Sequence, residues 1–122
     1  MRKNYGAHND PGRAFLRAAE TGNADRVGAF LEDGFSVNYQ DPGTGETALH
    51  AAAGTRARDV FRRILEEPDI DYLLRDHKGR LPSEVAYVYG RDPAMARLLA
   101  IKEKAQARTQ GLVLTRRTTT PA

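Results

Sequence analysis

The chain has 122 residues, 40% hydrophobic and 29% charged, a composition typical of one folded domain rather than a disordered chain. It has no cysteine, which excludes disulfides and thiolate metal sites, and no apolar run approaches the roughly 20 residues that cross a membrane. The net charge is +3, but residues 102–122 hold five basic residues against one acidic residue, so the near-neutral remainder indicates no particular partner.

The first residues of the chain carry Arg2 and Lys3 with no apolar stretch behind them. We therefore expect no secretory signal peptide, and together with the lack of cysteine this predicts a cytoplasmic protein. The alanine- and arginine-rich composition would suit a bacterium with a high-GC genome.

An internal repeat is the strongest pattern in the sequence. Similar segments begin at Gly12, Gly45 and Gly79, a nearly constant spacing of about 33 residues. Apolar residues follow each segment at the i, i+3 and i+4 spacing of one helix face. Each unit is therefore predicted to be a short helix, a tight turn, a longer helix and a loop.

In the first unit, Asp10 and Pro11 are predicted to cap and begin a helix. Gly22 and Asn23 form the turn into a second helix near residues 24–32. Gly34 is predicted to end that helix, because glycine tolerates the left-handed conformation found after helix ends.

In the second unit, Thr47 is predicted to cap a helix over residues 48–53, and Gly54 with Thr55 to turn the chain. A helix over residues 58–66 follows and stops before Pro68.

In the third unit, Pro82 is predicted to open a helix that ends near Tyr89. Gly90 breaks this helix, and Asp92 caps a longer one running to about residue 107.

This period of about 33 residues, together with Thr-Ala-Leu-His from Thr47 to His50, resembles the ankyrin repeat. Three such units would span about 12–44, 45–78 and 79–108, between an N-terminal segment, 1–11, and a basic, Thr-rich tail, 109–122. The end units lack the Thr and His of the pattern, as expected of capping repeats that face water. The middle unit matches the pattern at Asp41, Gly45, Thr47, Leu49, His50, Ala52, Val60, Ile64 and Leu65.

The resemblance implies an all-α solenoid of stacked helix-turn-helix pairs with hairpin-like loops projecting from it. It also implies a function without catalysis, the binding of one protein partner through the loop tips and the concave face of the first helices. Thr47 and His50 would have a structural role, hydrogen bonding within and between repeats. We expect a monomer.

Candidate contact residues follow from this resemblance and from the enrichment of tyrosine and arginine in binding hot spots. Tyr87 and Tyr89 lie near the end of one helix, and at least one of them is expected to pack in the core or under the tail. The predicted contacts are Tyr39, Gln40, Pro42 and Thr44 at the first loop tip, Arg75, His77, Lys78 and Arg80 at the second, and Arg17, Glu20, Ala53 and Tyr87 on the concave face.

No pattern in the sequence predicts an enzyme, a cofactor or a metal site. Neither Ser36 nor Ser83 lies in a Gly-x-Ser-x-Gly turn, and no Lys-Ser or Lys-Thr follows Gly45 as in a phosphate loop. The three histidines lack metal-ligand spacing. The acidic residues 66–71 are interpreted as a solvated loop, the alternative being contact with a cation or a basic peptide.

The tail leaves an alternative function open. Leu112, Val113 and Leu114 could dock on the last repeat, or serve as a short linear motif or added strand for a partner. Arg116 and Arg117 could meet phosphate groups, so the alternative hypothesis is a basic-tailed binder of nucleic acid or another anionic surface, with the repeats as scaffold.

Overall fold

The computed structural model describes residues 10–112, and within that range the chain is built from six helices without strands. They form three antiparallel pairs, each joined by a tight turn. The helices are α1 (Pro11–Glu20), α2 (Ala24–Glu32), α3 (Ala48–Thr55), α4 (Arg58–Leu65), α5 (Pro82–Val88) and α6 (Pro93–Thr109).

The first helices of the pairs form an inner layer in which α3 packs between α1 and α5. Ala19, Ala52 and Ala86 are completely buried at these contacts, because small side chains allow neighbouring helices to approach closely. The second helices form an outer layer, in which α2 packs against α4. Each pair buries its apolar stripe only because another pair covers it, as expected for a repeat protein.

Short-range side-chain hydrogen bonds fix where the helices begin. Asp10 accepts a bond from the Gly12 N–H, Asn23 from Arg26, Thr47 from His50, and Asp92 from Met95. Asp10, Thr47 and Asp92 are the caps that the sequence predicts, whereas Asn23 was predicted only as a turn residue. Helices α4 and α5 end within one residue of their predicted ends, and α6 runs two residues further than predicted.

The turn between α3 and α4 differs from the prediction. Gly54 and Thr55 are helical, and the left-handed residue of the turn is Arg56, with φ of 60°. Thr55 Oγ1 donates to the Ala51 carbonyl inside the helix, and a Cβ on Gly54 would lie 3.2 Å from Val85 Cγ1. Gly54 therefore allows α3 to pack tightly against α5 rather than turning the chain.

The loops between pairs are hairpin-like and joined to one another. Asp41 N–H donates to the Glu46 carbonyl, Asp76 N–H to the Arg80 carbonyl, and the His77 N–H to the Thr44 carbonyl at 2.8 Å. The last bond links the first loop tip to the second. The tips thus form one connected edge of the stack rather than two separate loops.

Candidate protein-binding surface

A groove of about 410 Å³ lies between the inner helices and the loops, and we call it the inner groove. Its floor comes from α3 and its walls from the ends of α1 and α5 and from the loops. Its lining residues are Glu20, Glu46, His50, Ala51, Gly54, Thr55, Lys78, Arg80, Val85 and Tyr89.

The inner groove combines an apolar floor with charged and aromatic walls. Ala51 and Gly54 keep the floor shallow, while Glu20 and Lys78 stand exposed at its sides. The Tyr89 side chain is 59% exposed, and the Arg80 guanidinium lies 5.2 Å from the centre of its ring. Burial raises the pKa of the Glu46 carboxyl at the loop side, with partial compensation by Arg80.

Arg80 is anchored to the scaffold. Its side chain is only 17% exposed and forms an ion pair of 2.6 Å with the buried Asp76, which also accepts the Lys78 and Arg80 N–H groups. Burial acts to raise the pKa of Asp76, but the hydrogen bonds from Arg80 and Lys78 outweigh it and lower the pKa. The second loop therefore has a fixed shape beside the groove.

Thr47 and His50 connect the second unit to the third. His50 Nδ1 accepts from the Thr47 N–H, so Nε2 carries the proton and donates to the Arg80 carbonyl at 2.9 Å. Burial lowers the pKa of His50, chiefly because the charged ring would lose its hydration. Both side chains are buried and serve the scaffold of the groove.

Some of the predicted loop contacts are exposed, and others pack against or hydrogen-bond to the rest of the protein. Pro42, Thr44, His77 and Lys78 are exposed. Tyr39 packs against Phe35, with ring centroids 5.5 Å apart. Gln40 Nε2 donates to the Gly45 and Arg75 carbonyls, and Arg75 donates to the Gly79 carbonyl, so both side chains also hold the loops together.

Of the four residues predicted on the concave face, only Glu20 lines the inner groove. Arg17 is exposed on α1 but does not line it. Ala53 is fully buried, so its proposed place on the contact surface is wrong. Tyr87, 68% exposed, lines a neighbouring groove of about 610 Å³ on α5 and α6, which shares Arg80 and Tyr89 with the inner groove. Tyr87 and Tyr89 are both exposed, so neither packs in the core. The other half of the expectation for them, packing under the tail, falls on residues 113–122, which lie outside the described residues.

Tyr89, Gly54 and Thr55 line the groove but were missed as contacts, and the repeat register explains why. In each unit we compare the position of the first glycine with that of the left-handed residue in the turn between the two helices. The separation is 10 residues from Gly12 to Gly22, 11 from Gly45 to Arg56 and 12 from Gly79 to Arg91. Each added residue rotates a helix by about 100°. Counting back two positions from the turns instead places Glu20, Gly54 and Tyr89 at equivalent positions, and all three line the groove.

Two further features concern residues 10–112, metal ligands and membrane-spanning helices. That part of the chain contains no cluster of three or more histidines and carboxylates placed to hold a metal. None of its helices is long and apolar enough to span a membrane. His8 and the tail residues 113–122 lie outside the described residues.

Comparison with known proteins agrees with the geometry. The family pattern described as ankyrin repeats (3 copies) matches residues 15–110. The chain is 39% identical over 88 residues to diacylglycerol kinase iota of Mus musculus, covering 70% of this chain and 8% of that protein. It is 36% identical over 74 residues to neurogenic locus notch homolog protein 1 of Homo sapiens, covering 55% of this chain and 3% of that protein.

A third relative is alpha-latrotoxin-Lg1a of Latrodectus geometricus, 36% identical over 69 residues, which are 57% of this chain and 5% of the toxin. The chain thus spans less than a tenth of the length of these relatives. All three are animal proteins. These matches do not support the bacterial source expected from composition, which remains a prediction.

Proposed function

Because the chain belongs to the ankyrin-repeat family, we propose that it binds one protein partner through the inner groove and the adjoining loop tips, without catalysis. Ankyrin repeats are a general protein-interaction module, which supports the class of function. We choose the inner groove as the binding surface because exposed Tyr89 and Lys78 lie on either side of its shallow floor.

The chemistry of the inner groove suits a protein segment better than a small molecule. A small-molecule pocket is deep and encloses its ligand, whereas this groove is open along the inner helices. Tyrosine is enriched in hot spots because it contributes apolar area and a hydroxyl with few rotatable bonds. Glu20 and Lys78, of opposite charge, would orient a partner that carries both charges.

The activities named for the relatives are not part of this proposal. The chain matches only 8% of the kinase, 5% of the toxin and 3% of the notch protein. Most of each relative therefore has no counterpart in this chain, and the activity in its name is not carried over. What the chain shares with them is the repeat stack.

The Lys78→Glu, Tyr89→Ala double variant should reduce recovery of the partner at least tenfold. Both residues are exposed on the groove, so the variant reverses a charge and removes an aromatic contact. The measurement is affinity capture from lysate at moderate salt with quantitative mass spectrometry. Arg75, although also predicted as a contact, is left intact because it donates to the Gly79 carbonyl.

The matched control is Arg13→Ala, which removes an exposed charge from α1 outside the groove and should leave recovery unchanged. Melting temperatures of both variants should stay within a few degrees of the parent. A protein captured equally by parent and double variant would contradict the proposed surface. Loss of capture on truncation after Leu112, with a steep fall as salt rises, would instead favour the basic-tail alternative.

A further inference from the structure

The outer layer opens between α4 and α6. Helix α2 packs closely against α4, whereas α4 and α6 contact each other only sparsely, and a groove of about 240 Å³ lies between them. We call it the outer groove, and it is on the opposite side of the stack from the inner groove. It is lined by Arg58, Phe61, Arg62, Ala94, Met95 and Leu98.

The outer groove is apolar along its floor and basic at its rim. Phe61 and Met95 form the floor, and Leu98, 38% exposed, presents an apolar side chain to solvent beside it. The Arg58 and Arg62 side chains on α4 are more than half exposed. An apolar floor with guanidinium groups along one side matches a ligand that is apolar on one face and acidic on the other.

Two more arginines extend this basic rim along the turns between helices. Arg56 and Arg91 are exposed and follow α3 and α5. Arg58 is ion-paired with Asp92 through two hydrogen bonds, Arg56 lies 3.8 Å from the same carboxylate, and Arg62 is paired with Asp59. We call Arg56, Arg58, Arg62 and Arg91 the arginine edge. Together with Asp59 and Asp92, which are paired with it, the arginine edge carries a net charge of +2.

The backbone at Arg56 and Arg91 is unfavourable for arginine. Their φ angles are 60° and 51°, in the left-handed region, where the equivalent residue of the first unit is Gly22 at 77°. Side chains with a Cβ are strained in this region, and glycine is not. Strained residues concentrate at functional sites, and here two exposed arginines occupy equivalent turns in which the first unit has glycine.

We propose that the outer groove and the arginine edge form a second binding surface, for an acidic amphipathic helix of a protein partner. Apolar side chains of that helix lie on Phe61, Met95 and Leu98, and its carboxylates pair with the arginine edge. Nucleic acid would also pair with the arginines, but it would leave the apolar groove in water. The combination of groove and charge therefore favours a protein helix.

The test uses the full chain and two synthetic fluorescent peptides, measured by fluorescence anisotropy. Each peptide has about 20 residues, enough for roughly 30 Å of helix. One places leucine and glutamate on opposite faces of a helix, and the other has the same composition in shuffled order. The amphipathic peptide should bind at least tenfold more tightly. Equal binding of both peptides would mean that only their charge is recognised, without a helical apolar face, and would overturn the proposal.

Two variants locate the binding. Leu98→Glu places a charge of the wrong sign beside the groove and should weaken binding of the amphipathic peptide at least tenfold. Arg56→Gly combined with Arg91→Gly should also weaken it tenfold, while the melting temperature stays unchanged or rises, because the left-handed strain is relieved. A stability gain together with a binding loss is the combination that a purely structural role would not produce.

The controls separate this surface from the inner groove. Arg13→Ala and the Lys78→Glu, Tyr89→Ala variant should bind the amphipathic peptide as the parent does. Weakening by the second of these would place the peptide in the inner groove and overturn the proposal. Tighter binding of a short DNA duplex, lost in the Arg56→Gly, Arg91→Gly variant but unchanged by Leu98→Glu, would overturn it in favour of a nucleic-acid site.

Discussion

Gly90→Ala should lower the free energy of unfolding by about 3 kcal/mol, because an added Cβ would be forced against the backbone of the neighbouring unit. That Cβ would lie 2.1 Å from the Ala53 carbonyl oxygen and 3.0 Å from that of Ala86. Neither atom belongs to a flexible side chain, so α5 could accommodate the methyl group only by moving away from α3. Urea unfolding followed by circular dichroism measures the change.

Gly22→Ala is the matched control. Gly22 occupies the left-handed turn of the first unit, and no atom lies within 4 Å of a Cβ built on it. This substitution should cost only the left-handed conformational penalty, about 1 kcal/mol. Equal losses at the two glycines would mean that the packing of α5 on α3 is looser than the structure shows.

Asp92→Ala should also cost about 3 kcal/mol, since one side chain caps α6 and holds the second unit to the third. Asp92 is 1% exposed and accepts from the Met95 N–H at 3.2 Å. It accepts two further bonds, of 2.9 and 2.8 Å, from the Arg58 guanidinium. Arg58 is half exposed and regains hydration when its partner is lost, which keeps the expected loss below that of a fully buried pair.

The pH dependence of that variant gives an independent check. Burial acts to raise the pKa of Asp92, but the Met95 N–H and the Arg58 and Arg56 guanidinium groups outweigh it, so the pKa is lowered in the folded state. A carboxyl with a lowered pKa stabilises the fold fully above its unfolded pKa, about 3.9, and loses this contribution as the pH falls. The difference between parent and Asp92→Ala, measured by urea unfolding, should therefore shrink below about pH 4. A difference that is constant from pH 7 to pH 3 would exclude the ionic role of Asp92.

The sequence predicted the helices well because their boundaries depend on local chemistry. Asp10, Thr47 and Asp92 each accept a bond from a backbone N–H two or three residues ahead, so the short-range pattern alone identifies them. The repeat period then implied that these pairs stack. Both inferences require no knowledge of how far one unit is rotated against the next.

The contact surface was predicted less well because it depends on packing between units. Gly54 looked like a turn residue, but its small size serves the approach of α5 to α3, and Arg56 takes the strained turn position instead. Ala53 and Tyr87 lie eight residues after the first glycine of their units, as Glu20 does, but the turn that follows lies one residue further on in each successive unit. The outer groove was not predicted, because a separation between α4 and α6 has no local sequence pattern.

Site-specific photocrosslinking tests the central claim, that the inner groove is where a protein partner binds. A photoreactive amino acid replaces either Thr55, which lines the inner groove, or Ala29, which is exposed on α2, in cells that express the protein. We expect a protein crosslinked through position 55 and absent with position 29. Crosslinking through position 29 alone, or through neither position, would contradict the account.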